Sequence, residues 1–377
     1  MNFMRLLPVA KQCFMNVPAG LYLGAAAMGV HVLARCLGSE FVHAIYHTTV
    51  FRIVRHGHDF TLGLLPWGAI YWVIGFLAFY LVFLTMVPRQ ERKAKKISLA
   101  SKAFRGVIHF GGIFLFLFYF LWGFEYYRPS LDKTLVIPTV TPDSVLLKNE
   151  FAEITALLCK ERERFSAVTK SYPPFLEDSL RSLQESLLAS WALPVYGRVR
   201  VRLLYPEGLL LRFATAGVYV PFVNEGHIDA GLHPLQWPFT MAHEMAHGYG
   251  FTDEGECNFI GLLTCMRSGD PWIRYSGLLA YWRYLYSDVA ARHPVFANDI
   301  RSQLTEEVRS DIKGIRAQLA KYPNVLPEMR EWMYDVYLKS HGIRAGVYSY
   351  NQLPLHVIRW KQSKYHFAFR RIEKQNR

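Results

Sequence analysis

Two histidines four residues apart, His243 and His247, flank Glu244 in the stretch Met241-Ala-His-Glu-Met-Ala-His-Gly-Tyr-Gly-Phe-Thr-Asp-Glu-Gly-Glu-Cys-Asn258. On an α-helix this spacing puts both imidazoles on one face, about 6 Å apart along the axis, where one metal ion can bridge them. Zinc suits such donors, and Glu244 then lies beside the ion, able to take a proton from a water activated there. Catalytic zinc also needs a third protein ligand. Three carboxylates compete for that role: Asp253, Glu254 and Glu256. Asp253 and Glu256 have the spacing of a capping box, Asp253 as N-cap and Glu256 reaching back to its N–H. Glu254 is then the uncommitted carboxylate at the start of a second helix, and Asn258, one turn on, can hydrogen-bond a ligating histidine. This ordering favours Glu254, then Glu256, then Asp253.

A pattern of three fixed positions arises by chance in on the order of a few in a hundred chains of this length, so its flanks matter. Pro238 suits a first helical turn, and Gly248 and Gly250 suit a helix end. Upstream, Gly197 to Leu211 alternates Arg198, Arg200 and Arg202 with Val199, Val201 and Leu203, a strand-like pattern that Leu211 to Asp229 continues. Pro221 suits an edge strand, and Tyr219 and Val220 on that strand offer main-chain groups to an extended peptide. Helices are expected over 145–165, 176–191, 271–292, 296–322 and 327–340 from apolar spacing and Pro or Gly boundaries. Downstream, Tyr350 and His356 are candidate donors to an oxyanion.

The remainder of the 377 residues is unevenly hydrophobic. Nearly uncharged runs over 19–37, 62–87 and 107–124 are each long enough for a hydrocarbon core of about 30 Å. Small residues at Ala25 to Ala27 resemble a signal-peptide cleavage site, but the apolar run continues past them. Arg89, Arg92, Lys93, Lys95, Lys96, Lys102 and Arg105 make a positive block that the positive-inside rule assigns to the cytoplasm. The N-terminus is then inside and everything after Tyr126 outside. Residues 38–61 read as a wet interfacial loop, because no carboxylate or Cys accompanies His56 and His58 at ligand spacing. The net charge of +13 lies mainly in the positive block and the tail from Arg359, without a nucleic-acid motif. The tail's basic and aromatic residues suit anionic headgroups. Five scattered cysteines do not describe a disulfide framework.

The arrangement of HExxH, a short glycine turn, then Glu254-x-Glu256-x-Asn258 resembles the gluzincin metallopeptidases, whose third ligand is the Glu of an E-x-x-x-D/N helix. Along most of its length the chain also resembles family 3810 of the bacterial domains of unknown function. The matching stretches are Trp122-Gly-Phe-Glu-Tyr-Tyr-Arg128, Gly217-Val-Tyr-Val-Pro-Phe-Val-Asn-Glu225, 238–258, Tyr337-Leu-Lys339 and Gly346-Val-Tyr-Ser-Tyr350. Glu125 and Cys257 depart from that family's usual Asn and Ala.

The resemblance implies a mainly α protein. It would have three N-terminal transmembrane helices in a membrane region over 1–128, and an extracytoplasmic α+β zincin-like domain over 129–377 with a small β-sheet and the HExxH helix. The expected cofactor is Zn2+, with His243, His247 and Glu254 as ligands, Glu256 as the alternative, Asn258 behind them, Glu244 as the base and Tyr350 as oxyanion donor. The expected partners are a peptide or protein substrate and the lipid bilayer. A non-catalytic envelope protein with a structural zinc, and an amidase acting on cell-wall material, are the alternatives.

Overall fold

The computed structural model describes residues 18–86, 99–140, 142–166, 171–325 and 352–363. The chain divides into two compact units, Met1–Val54 with Ile70–Tyr127, and Arg55–Ala69 with Arg128–Arg377. Residues 55–69 fall within the expected membrane region of 1–128, yet they pack with the second unit.

In the first unit α1 (Ala19–Leu37) stops at Gly38, whose φ is 87°, and α2 (Ser39–Tyr46) runs into a π-helical turn, His47–Phe51. After α3 (Arg52–Asp59), most of which belongs to the second unit, come α4 (Ala69–Met86), α5 (Leu99–Leu121) and a 3-10 turn, Gly123–Tyr127. Glycine lets α1 and α5 touch backbone to backbone. A Cβ on Gly24 would lie 2.8 Å from the Gly112 Cα, and one on Gly20 would strike the His109 carbonyl. Small residues at such a contact are how apolar helices associate in lipid.

Among the described residues two helices are long and apolar enough to cross a membrane, Ala19–Leu37 and Phe104–Leu121, where three were expected. The run over 62–87 is not one helix. Leu62–Leu64 form a 3-10 turn, and the chain bends by 78° before continuing from Ala69. Pro66, which lacks an N–H and disfavours helix at the residue before it, and Gly68 explain the break. Among the described residues the count rises to three if Ser39–Leu64 and Ala69–Phe76 are taken together as a bent pair.

The second unit continues with α6 (Leu131–Thr134), α7 (Ser144–Arg162), α8 (Leu176–Ser190), β1 (Arg200–Leu204), β2 (Gly217–Val220) and β3 (Glu225–Asp229). Then follow α9 (Trp237–Gly248), α10 (Glu254–Met266), α11 (Pro271–Arg292), α12 (Pro294–Ser302), α13 (Glu306–Leu319) and α14 (Leu353–Lys361). Asp143, Asp253, Asp270 and Thr305 each accept a backbone N–H as N-cap, a contribution of about 1 kcal/mol apiece. The cap at Thr305 splits what apolar spacing reads as one helix over 296–322 into α12 and α13.

The sheet runs β1-β3-β2, with β3 parallel to β1 and antiparallel to β2, so that Val201, Gly226 and Tyr219 lie side by side. The strand-like pattern over 197–211 yields only the five residues of β1, and Leu211–Phe213 turn as a 3-10 helix. Every residue of β3 is buried. One face lies on α9; the other carries Glu225 and is covered by residues 55–69. Arg200 Nη1 donates to the Gly63 carbonyl at 2.9 Å, Arg202 Nη1 to that of Leu65 at 2.7 Å and Arg55 Nη1 to that of Asn224 at 2.7 Å. Glu225 accepts the Ala69 N–H at 2.8 Å and lies 3.6 Å from His58 Nε2. The alternating arginines therefore hold a polypeptide segment, and Arg55 and His58 are buried rather than wet. Each of these buried polar groups needs such a partner.

Candidate metal centre

All of α9 is buried, packed among β3, α8, α10 and α11. Pro238 occupies its first turn, where a missing N–H costs nothing, and the chain leaves through Gly250 at φ 85°, a conformation glycine adopts freely. His243 and His247 thus face one way, their ring centroids 4.9 Å apart. Glu254, the first residue of α10, meets both: its Oε2 lies 3.1 Å from His243 Nε2 and 3.5 Å from His247 Nε2.

The opposite nitrogens orient the rings. His243 Nδ1 is 2.9 Å from Asn258 Oδ1, and His247 Nδ1 is 2.9 Å from the Phe251 carbonyl. Both oxygens only accept, so each Nδ1 donates its hydrogen and Nε2 is the nitrogen left facing Glu254. Zinc bonds of about 2.0–2.1 Å in a tetrahedral site set neighbouring donor atoms roughly 3.3 Å apart, which is the separation found here. Glu254 Oε2 and Glu244 Oε2 are buried and have no hydrogen-bond partner among the described residues. Two imidazole lone pairs and an unsatisfied carboxylate oxygen fit a divalent cation.

The electrostatics agree with that donor set. Burial opposes ionisation of Glu254, yet His247 and His243 hold its carboxyl well below the usual range. Burial also opposes a charge on His247, yet Cys257 and Glu254 raise it well above the ordinary histidine value. Both shifts express one demand, for positive charge between the rings and the carboxylate. Glu244 behaves differently: burial pushes it up to about 7, against the pull of the two histidines. It lies under the sheet, where a Cβ on Gly217 would meet its Oε1 at 2.5 Å and one on Gly226 its Cβ at 2.9 Å.

The competing carboxylates are engaged elsewhere. Asp253 accepts the Glu256 N–H at 3.0 Å, as an N-cap. Glu256 does not reach back to complete a capping box; its Oε1 accepts the N–H of Leu131. Tyr219 donates its hydroxyl to Asn224 Oδ1 at 2.8 Å, with its ring 6.4 Å from that of His247, and Val220 pairs with Glu225. Among the described residues β2 pairs with β3 alone and is an edge strand of the sheet. His356 lies 3.4 Å from Asp132 and against the ring of Phe259, engaged in packing. Tyr350, the helix expected over 327–340, residues 89–98 of the basic block and the tail beyond 363 lie outside the described residues.

Three supporting residues escape motif reasoning. Arg128 donates to the Tyr249 carbonyl at 3.0 Å and lies 3.8 Å over the ring of Phe251, fixing the turn that orients His247. Phe251 supplies the carbonyl itself. Tyr284 of α11 hydrogen-bonds Asn258 within electrostatic range of Glu254. Arg128 falls in a quoted family-like stretch, but nothing in the spacing of Tyr284 points to the site.

The family described as "Protein of unknown function (DUF3810)" matches residues 46–358, and the chain belongs to it. No curated protein and no solved structure matches the chain.

Proposed function

We propose that this member of the DUF3810 family is a membrane-anchored zinc hydrolase, a metallopeptidase of gluzincin type acting on peptide or protein outside the cytoplasmic membrane. One observation carries the reading: ligand atoms of His243, His247 and Glu254 lie within 4.8 Å of one another, beside the buried carboxylate of Glu244. His243, His247 and Glu254 would hold the zinc, which would supply Lewis acidity toward a carbonyl and a water. Glu244 would accept a proton from the attacking water and return it to the leaving nitrogen. Asn258 and the Phe251 carbonyl keep both rings in the tautomer that offers Nε2. As an edge strand β2 would offer an extended peptide a main-chain ladder, and Gly217 on that strand adjoins Glu244. The positive block at 89–105 faces the cytoplasm by the positive-inside rule, and the second unit the other side.

Glu244→Gln keeps size and polarity but accepts no proton. Zinc content and folding should survive, while turnover in a peptide-library screen falls by about 10²–10⁴-fold. His243→Ala should lose the ion held at the α9 site, lowering zinc per chain by one. A structural zinc gives another pattern: His243→Ala unfolds the unit, and Glu244→Gln matches wild type in cleavage, which would end the hydrolase reading.

A further inference from the structure

A second cluster lies in the first unit, distant in sequence from the HExxH helix. His43 on α2 and His47, which opens the π-turn, face Glu125 in the 3-10 turn after α5. Their ligand atoms all lie within 4.8 Å of one another. His47 Nδ1 is 2.9 Å from Glu125 Oε1, and His43 Nδ1 is 3.4 Å from Glu125 Oε2. The imidazoles are four residues apart with centroids 4.8 Å apart, close to the 4.9 Å of the α9 pair. Glu125 is completely buried and the His47 side chain is 3 % exposed. A carboxylate so placed requires hydrogen-bonding or cationic partners.

A hydrogen-bonded ion-pair triad is the simpler account, but the geometry departs from it. In such a triad both imidazoles would direct an N–H to the carboxylate, one to each oxygen. His43 Nδ1 is instead buried with no hydrogen-bond partner among the described residues, although Glu125 Oε2 is near. Its 3.4 Å separation is close to the roughly 3.3 Å edge of a tetrahedral site with bonds of about 2.0–2.1 Å. The backbone is held independently of these side chains, since the Tyr46 hydroxyl donates to the Phe120 carbonyl at 2.8 Å. A π-turn is an uncommon departure from α geometry, found often at functional sites.

We infer that His43, His47 and Glu125 bind a divalent transition-metal ion of the zinc class, at a second site separate from the HExxH cluster. Two imidazoles and one carboxylate are a nitrogen and oxygen set suited to zinc, and three protein ligands leave a fourth position for water. The site pins α2 to the turn that follows α5.

The test uses the full chain in detergent, stripped with chelator, reloaded with Zn2+ and dialysed, with zinc per chain measured by mass spectrometry. His243→Ala/His247→Ala should still bind one zinc, and adding His43→Ala or Glu125→Gln should remove it, with circular dichroism and size exclusion reporting the fold. In the otherwise native chain, His43→Ala should lower the stoichiometry by one. Zinc content unchanged by His43→Ala in the native chain overturns the inference, leaving a hydrogen-bonded triad only. So does a folded His243→Ala/His247→Ala chain that binds none. Failure of the α9 site has a different signature: wild type binds one zinc, and His43→Ala abolishes it.

Discussion

At the scale of single residues, the division of labour among the carboxylates around α10 follows from what each one touches. Asp253 is consumed as an N-cap and Glu256 by the N–H of Leu131, while Glu254 Oε2 is left facing two imidazole nitrogens. Glu254→Ala should therefore abolish zinc binding at the α9 site, read as one zinc fewer per chain and as reduced zinc-dependent thermal stabilisation. Glu256→Ala should keep the metal and lower stability by about 1–3 kcal/mol, the cost of a buried N–H left without its acceptor. Unchanged zinc per chain in the first variant and one zinc fewer in the second would transfer the ligand role to Glu256. Capping logic read from sequence separates these side chains correctly only in part, because Glu256 uses a partner more than a hundred residues away, at Leu131.

At the scale of elements, two glycines govern how closely the sheet approaches α9. Gly217 on β2 and Gly226 on β3 leave room for Glu244, and a methyl group on Gly217 would overlap its carboxylate. Gly217→Ala should displace that side chain without touching the metal ligands. The expected result is full zinc content, a fold unchanged by circular dichroism, and a kcat reduced at least tenfold with little change in KM. Unchanged kcat would mean that the carboxylate has another place to go. The glycine stands in plain view in the stretch Gly217-Val-Tyr-Val-Pro, but its purpose depends on which helix lies beneath the strand. The arginines of β1 make the same point: their alternation marks a strand, whereas their partners, the carbonyls of Gly63 and Leu65, come from before α4.

At the scale of the whole chain, residues 55–69 and those from 128 onward share one unit, so a membrane cannot separate them. An epitope tag inserted at Phe60, which is 79 % exposed, and one at the C-terminus should report the same side in intact cells. A tag between Arg92 and Lys96 should report the opposite side, because α5 carries a segment apolar enough to span and the block beside it is strongly positive. Tags at Phe60 and at the C-terminus on opposite sides would contradict the packing of 55–69 on the sheet.

The sequence by itself determined what nearest-neighbour chemistry controls. His243 and His247 share a helix face because helical periodicity sets it, α10 starts where Asp253 can cap it, and Gly250 ends the turn after α9 because its φ is positive. Apolar helices at the N-terminal end were legible as well, since hydropathy needs no partner. The tertiary structure decided whatever depends on residues far apart in the chain. It interrupts the run over 62–87 near Pro66 and Gly68, so that 55–69 covers the charged face of the sheet. It brings Arg128 to Tyr249 and Tyr284 to Asn258, and it closes His43 and His47 on Glu125, 78 residues beyond His47. No local pattern encodes such meetings, because buried polar and charged groups are satisfied by whichever partner the packing delivers.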